Sequence, residues 1–142
     1  MVIPRQKSMQ VNWNLLFNAM KHKVVLNNCF GAFGLSQEAL DWIMEKDANG
    51  ELSKYIHRNL DFNENEPISL FNTKYFFDRC SVPRHHPLLV ECVETLGKEA
   101  NTYTSELSVV EIDDNQYHIT EYDGIEDIIT PSTHQIPWIT IE

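Results

Sequence analysis

Hydrophobic and polar positions alternate along the chain in patterns that predict an α+β or α/β domain spanning residues 1–142. The segment KVVLN (residues 23–27) has a continuous apolar run, which is typical of a strand buried on both faces. Residues 37–47 have apolar positions at helical spacing, with Ser36 as N-cap and Gly50 just beyond the end. The predicted buried stripe of this helix consists of Ala39, Leu40, Ile43 and Met44.

A second helix is predicted over residues 87–96, where Pro87 suits the first helical position. Residues 74–79 resemble a strand, and residues 48–72 are weakly patterned and resemble a long functional loop. A further helix over residues 8–20 would form an N-terminal arm within residues 1–21.

The last third of the chain has a β pattern. LSVVEI and YHITEY flank DDNQ, which predicts an antiparallel hairpin, and IEDII and WITIE are candidates for further short strands. Together these elements predict a small mixed sheet with two main helices.

Charge is distributed unevenly. The net charge is −10, yet residues 1–98 contain 11 acidic and 11 basic side chains, whereas residues 99–142 contain ten acidic residues and no Lys or Arg. An acidic segment repels phosphate backbones, so general nucleic-acid binding is not expected. The acidic third is a solvated sheet face, a surface that docks a basic partner or mimics the charge of a nucleic acid, or a metal-binding segment.

Composition indicates the compartment. The N-terminus MVIPRQKSMQ has no apolar signal-peptide core, and no apolar run is long enough to cross a membrane. Three cysteines, an odd number, indicate free thiols. A cytoplasmic location is therefore expected.

The turn FGAFG (residues 30–34), between the first strand and the first helix, is the main candidate site. The first amides of a helix lack intrahelical partners and attract anions. Gly31 and Gly34 would let the backbone approach a phosphate, and Phe30 and Phe33 could stack on a flat ring. The alternative is a tight structural turn with both phenylalanines in the core.

The start of the second helix offers a matching basic cluster. Arg79, Arg84, His85 and His86 precede Pro87. If strands 23–27 and 74–79 were neighbours in one parallel sheet, both helix starts would emerge at one edge, where ligands bind in open α/β sheets. The predicted ligand-binding residues are Phe30, Gly31, Phe33, Gly34, Ser36, Arg79, Arg84 and His85. The alternative is that His86 is only a cap and the arginines are surface or ion-pair residues.

Metal binding and catalysis are less well supported. Cys80, His85, His86 and Cys92 do not have the spacing of a structural zinc site, so no metal and no cofactor are expected. The acidic residues of the last third match no calcium-binding loop. Cys29, in the turn before a helix, could be a nucleophile if the fold brought a histidine near, but a buried structural thiol is the simpler interpretation.

Two blocks of sequence resemble a family of small proteins from tailed bacteriophages and prophages. They are KVVLNNCFGAFGLSQEAL and VPRHHPLLVECVETLGKEANTYTSELSVVEIDDNQYHITEYDG. The chain departs from the family pattern at Ala32, where the family has glycine, at His86, where it has aspartate, and near His134 and Trp138. The helix at residues 8–20 is also extra.

The resemblance implies a role in acting on host systems. The leading prediction is a non-enzymatic, homo-oligomeric binding protein that captures a small phosphate-bearing ligand, such as a nucleotide immune signal, as a counter-defence sponge. One alternative is an acidic protein-interaction module that inhibits a host protein. The other is a small enzyme that acts on nucleotides.

Overall fold

A computed structural model describes residues 21–69 and 71–133, and within these ranges the chain forms a mixed α+β fold of two helices and six short strands. Two 3₁₀ turns lie at Ser53–Tyr55 and Gly97–Ala100. The helices are α1 (Gln37–Lys46) and α2 (Pro87–Leu96). The strands are β1 (His22–Asn27), β2 (Ile56–Arg58), β3 (Tyr75–Phe77), β4 (Leu107–Ile112), β5 (His118–Tyr122) and β6 (Ile125–Ile129).

The strands form three antiparallel pairs: β1 with β4, β2 with β3, and β5 with β6. The condition under which both helix starts would emerge at one sheet edge, with β1 and the strand at residues 74–79 as parallel neighbours, is therefore not met. The predicted pairing of 107–112 with 117–122 is wrong: β4 pairs with β1 and β5 pairs with β6, each in a sheet of two strands. The hairpin is β5–β6, closed by Asp123 and Gly124, both with positive φ.

The β1–β4 pair lies between the two helices and the β5–β6 hairpin. Val25 of β1 belongs to the main core, which α1 and α2 supply, whereas Val24 and Leu26 pack in a second cluster with Ile119 and Ile128 of the hairpin. All three β1 side chains are almost completely buried. The prediction of a strand buried on both faces is confirmed, and the second face is covered by the hairpin.

Both predicted helices are confirmed with their caps. Ser36 Oγ accepts a hydrogen bond from Ala39 N at 3.1 Å, and the His86 ring accepts one from Leu88 N at 3.1 Å. The most deeply buried positions of the helices are Ala39, Leu40 and Ile43 on α1 and Leu89, Val90, Cys92 and Val93 on α2. Met44, predicted in the stripe, is only half-buried.

Several predictions lie outside the described residues: the helix at 8–20, the arm at 1–21, the strand WITIE, and the positions His134 and Trp138. The weakly patterned stretch at 48–72 contains a 3₁₀ turn and β2 before a long irregular loop. No helix within 21–69 or 71–133 is both long and apolar enough to cross a bilayer.

Candidate functional site

The glycine turn after β1 is a docking point for the β5–β6 hairpin. Gly31 N donates to Asp123 O at 3.0 Å. A Cβ placed on Gly124 would lie 1.8 Å from Gly31 O, and one placed on Gly31 would lie 2.4 Å from Thr104 O. Both glycines have positive φ, so backbone meets backbone here without side chains. This contact explains the glycine at position 31.

Asn27, at the end of β1, joins three segments at this junction. Its side-chain amide donates to Gly124 O at 2.7 Å and to Cys29 O at 3.0 Å. Its Oδ1 accepts from Glu106 N at 2.8 Å, just before β4. Because Asn27 is completely buried, these bonds hold the glycine turn, the hairpin and β4 in one arrangement.

A buried ion pair fixes the same hairpin from the other side. The Arg84 guanidinium makes a forked contact with the Glu126 carboxylate, at 2.6 and 2.7 Å, and both side chains are largely buried. The guanidinium carbon also lies 3.5 Å from the centre of the Phe33 ring. The donor geometry that would suit a phosphate is thus occupied by an internal carboxylate.

Three exposed aromatic side chains lie around the junction. Phe30, Tyr103 and Tyr122 are 65%, 83% and 76% exposed. Each is the chain neighbour of a residue whose backbone takes part in the contact at Gly31, namely Gly31 itself, Thr104 and Asp123. We call these three residues the aromatic patch. Exposed carboxylates in the same segments are Glu99, Glu106, Glu121 and Asp123. No Lys or Arg occurs in residues 24–45 or 99–142, so this surface carries a net negative charge.

The start of α1 opens into a cleft of about 510 Å³. We call it the Tyr103 cleft; its walls include Leu35, Ile68 and Tyr103 with the carboxylate residues Glu38 and Glu99. Ser36 lines it too, but its hydroxyl already caps Ala39 N and donates to Glu99 O. An anion at this helix start would therefore lie beside two carboxylates.

The start of α2 has a different environment. His85 Nδ1 lies 2.6 Å from the Tyr117 hydroxyl. Burial raises the pKa of Tyr117, against the effect of the nearby Arg84 charge. A cleft of about 300 Å³ runs past Tyr117 and is lined by Arg79, Cys80, Val82, Pro83, Arg84, Tyr117, His118 and Ile119. We call it the Arg79 cleft.

The structure divides the eight predicted ligand-binding residues among several places. Phe30 lies on the surface and Phe33 in the core. Ser36 lines the Tyr103 cleft, whereas Arg79 lines the Arg79 cleft with the paired Arg84. The remaining three are Gly31 at the junction, Gly34 beside Thr102, and His85 on Tyr117. Their role in binding stays a prediction.

Two of the cysteines considered for catalysis or metal binding have different environments. Burial raises the pKa of the Cys92 thiol to about 12, which keeps it protonated and unreactive. Cys29 is half-buried, and its sulfur lies 3.4 Å from Phe30 O. Among the residues that the structure describes, no group of three His, Cys, Asp or Glu side chains could hold a metal ion.

Asn27 and Glu126 organise the junction; sequence reasoning did not single out Asn27, and it considered Glu126 only among the acidic residues that could bind a cation. Asn27 is the last residue of a buried strand, and Glu126 lies in an acidic stretch whose composition is typical of a solvated surface. A DG pair between two β patterns, at Asp123 and Gly124, was the available signal, because it marks a two-residue hairpin turn.

Comparison with protein-family models, with curated proteins and with solved structures gives no match to this chain.

Proposed function

We propose that this protein is a non-enzymatic interaction module whose acidic, aromatic surface docks a basic surface of another protein. The single observation that carries the proposal is the aromatic patch: three large rings are exposed around one rigid junction. Aromatic side chains are enriched among the residues that dominate binding at protein interfaces. Large exposed rings on segments that meet at one junction are candidates for such a contact surface.

Charge supports a basic partner. The segments that form the patch contain four exposed carboxylates and no Lys or Arg. An acidic surface of this kind attracts a positive partner and repels a negative one, which increases the association rate and the specificity. The resemblance to tailed-phage proteins extends the proposal, since it makes a host protein the expected partner.

Rigidity also supports the proposal. The junction is held by buried contacts of Asn27 and by the Arg84–Glu126 pair, so the surrounding rings are attached to backbones that are fixed before binding. A surface organised in advance loses less conformational entropy on association.

The test compares two double variants of the immobilised protein. Phe30→Ser/Tyr122→Ser removes two rings of the patch, and Leu60→Ser/Phe71→Ser removes two even more exposed apolar side chains from the β2–β3 loop. A partner captured by the wild type is identified and purified. Its Kd is then measured between about 50 and 300 mM salt, a range over which the Debye length shortens by roughly a factor of two. We expect the first double variant to weaken binding more than about tenfold, and the control to leave it unchanged.

Two results would contradict the proposal. One is a partner that binds the patch variant as tightly as the wild type. The other is a partner whose affinity does not fall with salt.

A phosphate-bearing ligand is the second candidate function, and one observation favours it. Arg79, which is exposed, lines a cleft with Tyr117 and His118, and His85 contacts that same tyrosine. This proposal moves the ligand away from the start of α1, where the carboxylates lie, to the basic side of the molecule. Arg79 then supplies the phosphate contact, because the Arg84 fork is already used by Glu126.

Thermal unfolding in the presence of cyclic and ADP-ribose-type nucleotides tests this second candidate. A ligand at 100 times its Kd should add about 2.7 kcal/mol to the stability of the wild type. We expect Arg79→Ala to lose the gain while keeping its unliganded stability. No gain with any nucleotide in the wild type would rule the candidate out.

A further inference from the structure

The Tyr103 cleft shares one residue, Tyr103, with the aromatic patch. The proposed partner would cover this cleft together with the rings. Its lining therefore indicates which side chain of the partner could enter it.

The cleft contains two carboxylates that act only as hydrogen-bond acceptors, those of Glu38 and Glu99. Several neutral polar side chains on its walls take part in hydrogen bonds within the protein: Gln37 with the backbone of β3, Asn101 with Leu107 N, Thr102 with Ser105, and Ser69 with Phe71 N. The carboxylates of Glu38 and Glu99 have neither an ion pair nor a hydrogen bond within residues 21–69 and 71–133. A positively charged donor group therefore suits the two carboxylates.

The helix start does not reverse this preference. The N-terminus of α1 is equivalent to about half a positive charge. Two carboxylates carry four times that charge with the opposite sign, and Ser36 already satisfies one of the free amides. The cleft is therefore electrostatically suited to a cation.

We propose that the Tyr103 cleft receives an arginine side chain of the basic partner, an inference that rests on the proposed function. The exposed Tyr103 ring offers a face on which a guanidinium can stack, and Ile68 and Leu35 offer apolar contact to its methylene stem. A planar guanidinium can in addition form forked hydrogen bonds with a carboxylate, which an ammonium cannot. Arginine is thus favoured over lysine.

An NMR titration of the full chain with an eight-residue peptide of alternating arginine and glycine tests the inference. Two further peptides of the same length carry lysine or citrulline in place of arginine. We expect saturable shifts at the amides of Glu38, Glu99 and Tyr103, lysine binding about threefold to tenfold weaker, and citrulline binding more than about tenfold weaker.

Matched variants distinguish binding in the cleft from a general electrostatic attraction between the peptide and the protein. Glu38→Gln/Glu99→Gln and Glu45→Gln/Glu91→Gln remove the same charge, but only the first pair lies in the cleft. The first should weaken the arginine peptide about tenfold, and Tyr103→Leu should weaken it about threefold. The second should have less than about a twofold effect.

Equal losses in the two double variants, equal binding of the arginine and lysine peptides, or shifts that avoid the cleft would each overturn the inference. The proposed function is judged separately, by whether capture of a basic partner depends on Phe30 and Tyr122. If that dependence holds while the peptide results fail, only the arginine assignment falls.

Discussion

The starts of α1 and α2 present the same free backbone amides in opposite surroundings. At α1 the cap is Ser36, and the nearby charges are the carboxylates of Glu38 and Glu99. At α2 the cap is His86, preceded by His85 and by an arginine that is held in an internal ion pair. The amides alone predict anion binding at both. The side chains that other segments bring decide which helix start attracts which charge.

The largest effect is expected from breaking the ion pair beside α2. Arg84→Leu leaves the Glu126 carboxylate buried without its partner, which should lower the free energy of unfolding by about 3–5 kcal/mol. Chemical denaturation measures this loss. Arg79→Leu, at an exposed position of the same cleft, should change stability by less than about 0.5 kcal/mol.

The double variant Arg84→Leu/Glu126→Leu sharpens the test, because it removes both charges. It should recover part of the stability that Arg84→Leu loses. If Arg84→Leu is as stable as the wild type, Arg84 is not primarily structural, and the phosphate role predicted for it regains weight.

The second-largest loss of stability is expected from a substitution at the contact between Gly124 and Gly31. Gly124→Ala places a methyl group against the Gly31 backbone at a residue with positive φ, so the hairpin must shift. We expect a loss of about 2–3 kcal/mol and changed amide shifts at Phe30 and Tyr122. Gly50→Ala, where a Cβ meets open space, should cost only about 1 kcal/mol. Equal costs would mean that the close backbone contact does not hold the hairpin.

Local features of the fold could be predicted from the sequence, whereas its pairings could not. Ser36, Pro87 and the continuous apolar run of β1 act on neighbouring residues, so their signals are local and were interpreted correctly. The predicted partner of β4 was wrong because the apolar pattern of β4 is compatible both with a hairpin to β5 and with a distant pairing to β1.

Prediction of the candidate site was limited for the same reason, since the environment of its residues depends on distant parts of the chain. Phe30 and Phe33 are three residues apart in a glycine turn, yet one is exposed and the other buried. Nothing in the local pattern tells them apart, because the burial of Phe33 depends on Arg84 and Phe77, which lie far along the chain. Likewise, the sequence around Arg84 does not show that its guanidinium is paired, because its partner Glu126 comes from the acidic third of the chain.

Removing the two caps compares the helix starts directly, with smaller effects. Ser36→Ala loses the bond from Ala39 N and the bond to Glu99 O, so it should cost about 1–2 kcal/mol. His86→Ala loses one cap bond and a contact with Glu51, and should cost about 0.5–1 kcal/mol. Thermal and chemical unfolding measure both. A larger loss in His86→Ala would show that the α2 start depends more on its cap.

The smallest effect involves Asp47, which follows α1. Burial raises the pKa of Asp47, but hydrogen bonds from Ser53 and Leu52 outweigh it, so the pKa is lowered overall. A carboxylate with a lowered folded pKa stabilises the fold above its unfolded pKa of about 4, and this contribution disappears as the pH falls through the folded value. Asp47→Asn should thus be less stable than the wild type by under about 1 kcal/mol at pH 7. The difference should shrink below about pH 4, as denaturation at several pH values can measure. A difference that stays constant through that range would assign the role of Asp47 to geometry rather than charge.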